Sequence, residues 1–460
     1  MTIDTAITGG TLVTETGQFD AAIGVDDGEI VAVGAESTLP DAAETVDASG
    51  QLVMPGVVDV HVHIDDQFSG DTYETATGAA AVGGTTTYID FAWQAWLGDM
   101  SPFDSEGTLL EGIERKQEKG EDALVDYGLH GAITREDPAI LEEIPEIIEA
   151  GVPSFKMFTA YEIGLGNGFM NRVMKRLADT GGVGVFHTED TSVCNELVDQ
   201  FKAAGRSEAK WFPESRPDYT EAMAAEDAVR MATEAGMQYY GIHTTCRKSA
   251  DVLEQFQDEH GSELVRAETC THYTVLDESV YDEQGNLPVI QPPIRAPDDI
   301  EAMFEQLENG VLSVVSTDHC AYTREEKESG AWWEISPGAN GLQANLPVFY
   351  DEAVNNRGYD PSFVVSALCS EPARTFGMPR KGTLDPGTDA DIVLLDPAES
   401  YTITAADNVG NADFSIYEGR EVTGRPTKTF VRGELVAERG AVVGEPGHGR
   451  FLERELPDWD

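Results

Sequence analysis

The residues of this chain best suited to chemistry are four histidines, one lysine and one aspartate: His61, His63, Lys156, His187, His243 and Asp318. His61 and His63 lie two apart in the run from Pro55 to His63, where Val57, Val58, Val60 and Val62 have the β-branched character of a buried strand. Side chains alternate faces along a strand, so both imidazoles point the same way as Asp59. Two imidazoles converging from a buried strand are costly unless something binds them, and a divalent metal is the obvious partner. An H-x-H pair alone fits packed, backbone-bonded histidines equally well. The other four residues tip the balance, because each ends or closely follows its own apolar run, which packing does not explain.

Lys156 is the odd member, set in the apolar run Val152 to Phe158 of a chain with only ten lysines. A buried ammonium is expensive and repels a metal, so a neutral or modified amine is expected. Carbamylation by CO2 would make it a carboxylate able to bridge two cations about 3.5 to 4 Å apart. A lysine reaching a rim, or one forming a Schiff base, is the alternative; the converging histidines and aspartate favour the carbamate.

These groups need strands to present them. Eight apolar runs qualify: 57–63, 85–91, 125–133, 152–158, 183–187, 239–243, 264–270 and 312–317, separated by amphipathic stretches such as 141–150 and 222–235. Eight strand–helix units over about 320 residues predict a (β/α)8 TIM barrel with insertions, in which catalytic groups sit at the C-terminal strand ends. A doubly wound open sheet is the other architecture, but no glycine-rich dinucleotide fingerprint follows the first strand. Residues 1–53 read as short strands with tight turns, including a hairpin across Asp27-Gly28. Strands return after Phe376, at 390–395 and 429–436. The expected domains are an N-terminal part of a β-sandwich (1–53), the barrel (54–376), the C-terminal part of the same sandwich (377–443) and an extended tail (444–460).

Thirty Lys and Arg against 84 Asp and Glu give a net charge of −54. The acids are spread along the chain and read as a solvated surface, a composition resembling that of extreme halophiles and suggesting a haloarchaeal source. Nucleic-acid binding is not expected without a basic face. No run of about 20 apolar residues is present, and the N-terminus lacks a signal pattern, so a cytoplasmic protein with no membrane partner is expected. Five cysteines at scattered spacings suggest reduced thiols.

Several motifs in order resemble the cyclic amidohydrolases, in particular the dihydropyrimidinase and D-hydantoinase branch. They are Asp59 to His63, Gly83 to Thr87, Asp90 to Ala92, Phe155 to Tyr161, Glu268 to Cys270, Pro292 to Arg295 and Thr317 to Cys320. The resemblance implies a barrel with a composite β-sandwich, assembled as a homotetramer or homodimer. It implies two zinc ions held by His61, His63, carboxylated Lys156, His187, His243 and Asp318, with hydroxide attacking a ring amide. Asp318 would act as general base and then acid, and Tyr161 would donate to the developing oxyanion. Gln291 and Pro337 fall at positions whose family contacts with the ring run largely through backbone, and both depart from the family's Ser and Asn. Phe68, Phe158 and Leu165 would shape the pocket for the exocyclic substituent, although ordinary loop packing accounts for them nearly as well.

The substrate implied is a small cyclic ureide, a dihydropyrimidine or hydantoin opened to an N-carbamoyl amino acid. Dihydroorotases carry an arginine after H-x-H for a substrate carboxylate, and this chain has Asp65 there. The alternatives are allantoinase or another cyclic imide hydrolase, and a non-enzymatic scaffold of the same fold, against which the complete ligand set argues. His130 and His319 read as supporting or core groups, while His260, His272 and His448 lie in polar stretches. Trp93, Trp96, Trp332 and Trp333 read as core or subunit contacts rather than pocket walls.

Overall fold

The computed structural model describes residues 2–94 and 107–459; Trp96 lies outside them. Eight parallel strands form one sheet in strictly sequential order. They are β1 (Val57–Val62), β2 (Thr85–Trp93), β3 (Asp126–Ala132), β4 (Ser154–Phe158), β5 (Val183–His187), β6 (Gln238–Gly241), β7 (Val265–Cys270) and β8 (Val314–Ser316). Seven are separated from the next by helix, and the ring closes where His63 N donates to His319 O at 2.8 Å and Val62 pairs with His319. This is the expected barrel. Its strands are buried on both faces, which is why they read as continuous apolar runs rather than alternating ones.

Local sequence explains the joints. The helix Tyr73–Gly83 starts at Thr72, whose side chain caps it in a reciprocal box with Thr75, and stops at Gly84, whose φ of 90° no larger side chain adopts cheaply. Gly56 must be glycine for a different reason: a Cβ there would lie 2.0 Å from Thr86 Oγ1, so β1 could not enter beside β2.

Residues of both termini build two further sheets. A four-stranded sheet holds Ile3–Thr8, Ala22–Asp26, Glu29–Gly34 and Ala42–Asp47, with the Asp27-Gly28 hairpin turn at φ 50° and 79°. A seven-stranded sheet joins N-terminal strands (Thr11–Thr14, Gly17–Asp20, Leu52–Pro55) to C-terminal ones (Ile392–Thr402, Glu421–Val431, Glu434–Glu438, Ala441–Val442). Ile7, Leu12, Ile23, Ile30, Ile392, Leu394 and Phe430 pack together in the core they share. The run 429–436 is therefore not one strand: Arg432 and Gly433, both at positive φ, turn it back on itself. Residues after 444 are extended but docked, with Tyr127 pairing with Phe451 and Trp459 buried at 3% exposure beneath the barrel. All five cysteines are free and buried. No helix among the described residues is long and apolar enough to cross a membrane.

Candidate metal centre and active site

At the C-terminal mouth of the barrel His61, His63 and Asp318 bring one potential ligand atom each within 4.8 Å of the others. Asp318 Oδ1 lies 3.0 Å from His61 Nε2 and 3.5 Å from His63 Nε2. The opposite nitrogen of His61, Nδ1, lies 2.6 Å from Glu268 Oε1. A carboxylate only accepts, so Nδ1 carries the proton and Nε2 presents a lone pair to a carboxylate oxygen. That buried Nε2 has no hydrogen-bond partner among the described residues. Two electron-rich atoms held face to face without a proton between them are what a cation repairs, so these residues fit a metal ion.

A second pair stands beside the first. His187 Nδ1 and His243 Nε2 are 2.8 Å apart, and His187 donates from Nε2 to Glu189 Oε2 at 2.9 Å, which leaves its Nδ1 bare. Burial holds both imidazoles below the ordinary histidine range, His243 the further because His187 adds to it, so both offer lone pairs at neutral pH. Glu189 is fastened by Arg216 at 3.0 Å and by the Gln291 side-chain amide at 3.0 Å. Although burial opposes it, Arg216 and His187 hold the Glu189 carboxyl down at about 2. His243 and Asp318, just past their strands, adopt φ of 37° and 47°, and Tyr161 adopts 64°. Positive φ at three non-glycine residues around one site is backbone strain concentrated where chemistry is done.

Lys156 on β4 is 1% exposed. Three other lysines are equally buried, but each has oxygen partners: Lys116 with Asp90, Lys327 with three backbone carbonyls, and Lys381 with Asp126 and Asp391. The Lys156 amine instead stands 4.8 Å and 5.0 Å over the rings of Phe91 and Phe158, with no carboxylate pairing it among the described residues. Burial pulls it down to about 8, so about a tenth of the amine is neutral at pH 7, where an ordinary lysine has almost none.

Tyr161 lies over the His187 ring at 4.9 Å between centroids, and burial together with the Glu189 charge keeps its phenol protonated. Phe68 and Phe158 flank Trp93, whose indole stacks on His63 at 5.9 Å, so Trp93 forms part of the site's wall rather than remote core. Leu165 donates its N–H to Phe158 O at 2.9 Å and lines a cavity of about 470 Å³ with Thr159, Glu189 and Met223. Pro337 sits in a loop tied to the Gln291 segment through Lys327, which donates to Ser336 O, Gly338 O and Val289 O at 3.0, 2.8 and 2.8 Å. Asp65 is committed to Lys119 at 2.8 Å, so its charge is partly neutralised rather than free to repel a ligand. His319 bonds Asp71 and Gly341, and His130 bonds Ser154 and Val60. His272, despite its polar neighbours in sequence, is buried.

The carboxylates behind the histidines are what sequence reasoning missed. Glu268 had a signal, being an acid inside the buried strand β7. Arg216, in a loop 27 positions from Glu189, had none.

With this geometry in hand, comparisons with known proteins are decisive at the level of family. A model of the Amidohydrolase family matches residues 248–436. The D-hydantoinase of Ralstonia pickettii is 34% identical over 98% of this chain and 99% of its own length, and the L-hydantoinase of Paenarthrobacter aurescens 32% identical over 96% of each. A solved D-hydantoinase superposes with a TM-score of 0.93 at 33% identity, covering 98% of this chain and 99% of that one. The dihydropyrimidinase of Brevibacillus agri gives 0.92 at 29% identity with the same coverages. The chain belongs to the amidohydrolase family, in its hydantoinase and dihydropyrimidinase branch. It is accordingly an enzyme, a hydrolase acting on C–N bonds of cyclic amides.

Proposed function

We propose that this enzyme opens the ring amide of a dihydropyrimidine or hydantoin to give an N-carbamoyl amino acid, at a binuclear zinc centre. The observation that carries the reading is the convergence of His61 Nε2 on Asp318 and of His187 Nδ1 on His243 Nε2, beside a lysine buried between aromatic rings whose charged form burial disfavours. His61, His63, His187, His243, Asp318 and Lys156 as its carbamate would hold the two ions. When bound, zinc supplies Lewis acidity, polarising the ring carbonyl and bringing the pKa of water toward neutrality.

The chain's own groups do the rest. The Lys156 amine adds to CO2, forming one C–N bond and releasing one proton, and its charge then suits cations instead of repelling them. Asp318 takes the proton of the attacking water as the new C–O bond forms, and returns it to the ring nitrogen as the C–N bond breaks. Its Oδ1 lies 3.0 Å from His61 Nε2 and 3.5 Å from His63 Nε2, beside the cations that would keep it ionised. Tyr161 donates its phenolic proton in a hydrogen bond to the oxyanion, with the strained backbone fixing its aim. The aromatic wall of Phe68, Trp93 and Phe158 excludes water and accepts an uncharged ring.

Zinc-loaded protein in multimolar KCl with bicarbonate should convert dihydrouracil or hydantoin to the carbamoyl product. Turnover of allantoin alone would overturn the substrate assignment, and no turnover of any of the three would overturn the reading. A homotetramer, or a homodimer, goes with this proposal and is checked by light scattering in the same salt.

A further inference from the structure

His61 and His187 each have a carboxylate behind them, Glu268 at 2.6 Å and Glu189 at 2.9 Å. His63 has a third. Asp66 Oδ2 lies 3.8 Å from His63 Nδ1, the nitrogen opposite the one facing Asp318, and that buried Nδ1 has no hydrogen-bond partner among the described residues. The Asp66 side chain has no exposed surface. Burying a carboxylate costs several kcal/mol unless donors surround it, and here they do: Trp93 Nε1 donates to Oδ2 at 2.8 Å, Phe68 N donates to Oδ1 at 2.7 Å, and Lys116 stands 3.7 Å away. Lys116 is itself anchored, by Asp90 at 2.8 Å and by the carbonyl of Ile64, next to His63 in sequence.

We propose that Asp66 is a positioning residue for His63: its carboxylate accepts the Nδ1 proton and so directs Nε2 toward the metal, giving His63 the same tautomer as His61. A cation on Nε2 acidifies Nδ1–H, which strengthens that bond and closes the 3.8 Å separation. Trp93 and Lys116 hold the acid in place from behind, so the wall of the pocket and the metal centre share one support. The inference rests on the metal-centre reading above, and its test reads metal rather than turnover.

The experiment uses the full chain. Zinc is titrated into metal-free wild type, Asp66→Asn and Asp66→Leu against a competing chromophoric chelator, with the melting temperature of each metal-free protein recorded. Asp66→Leu should weaken one zinc site by 10- to 100-fold while the other changes little, and Asp66→Asn, which keeps an acceptor oxygen, should weaken it less. Zinc affinities within twofold of wild type in Asp66→Leu, with only the metal-free melting temperature lowered, would reduce Asp66 to a loop anchor and overturn the proposal. Should neither variant fold, 15N-labelled wild type decides: zinc-loaded protein should show a protected His63 Nδ1–H resonance, and its absence is equally fatal. A chain that binds zinc normally but opens no ring overturns the proposed function and leaves this inference standing.

Discussion

His61 and Glu268 are 207 positions apart in the chain, yet Nδ1 of one lies 2.6 Å from Oε1 of the other, both fully buried. The contact sets the tautomer of His61 and hence which nitrogen is free to bind. Glu268 is itself held by the Tyr240 hydroxyl at 2.9 Å. Glu268→Gln should therefore lower metal affinity by about 10- to 100-fold, measured by chelator competition.

Lys156→Ala should lose bound metal and turnover together, and a short carboxylate such as acetate or propionate should restore part of both. In wild type, 13C NMR after equilibration with labelled bicarbonate should show one carbamate carbon per chain. Full turnover of Lys156→Ala without added carboxylate would remove the bridging role.

Tyr161→Phe deletes one donor to the oxyanion and should cut kcat by about 10²- to 10³-fold with KM nearly unchanged. A rise in KM alone would make Tyr161 a binding group only.

Asp126, at the start of β3, ties the barrel to the C-terminal strands through Lys381 at 2.6 Å and Arg432. Burial would raise its carboxyl, but the two cations hold it below the ordinary value. Its folded pKa is thus below the unfolded one of about 3.9, so its stabilisation is complete above roughly pH 4 and fades as pH falls through the folded value. Asp126→Asn should cost about 3–5 kcal/mol at neutral pH, and the gap from wild type should narrow in acid. Denaturant melts at pH 7 and pH 3 in fixed salt measure it; a gap independent of pH would refute the assignment.

A net charge of −54 repels itself unless screened, and at 1 M salt the Debye length is roughly 3 Å. The melting temperature should climb steeply from dilute buffer to multimolar KCl. Identical values at both ends would contradict the halophilic reading of the composition.

What the chain declared unaided were features with a local cause. Strand periodicity put His61 and His63 on one face, because alternation needs only neighbouring residues. Apolar runs marked eight barrel strands because each is buried on both sides, and most of the family motifs overlap those runs. The strand at 429–436 was misread because its β-branched pattern continues through a two-residue turn whose positive φ at Arg432 and Gly433 composition does not announce. Tertiary structure alone decided that His61 leaves Nε2 free, since Glu268 reaches its Nδ1 from 207 positions away, whereas Glu189 and Asp66 lie two and three residues from the histidines they back. It also decided that of four buried lysines only Lys156 has no oxygen partner among the described residues. Partners this distant in sequence are set by three-dimensional proximity, which no local spacing encodes.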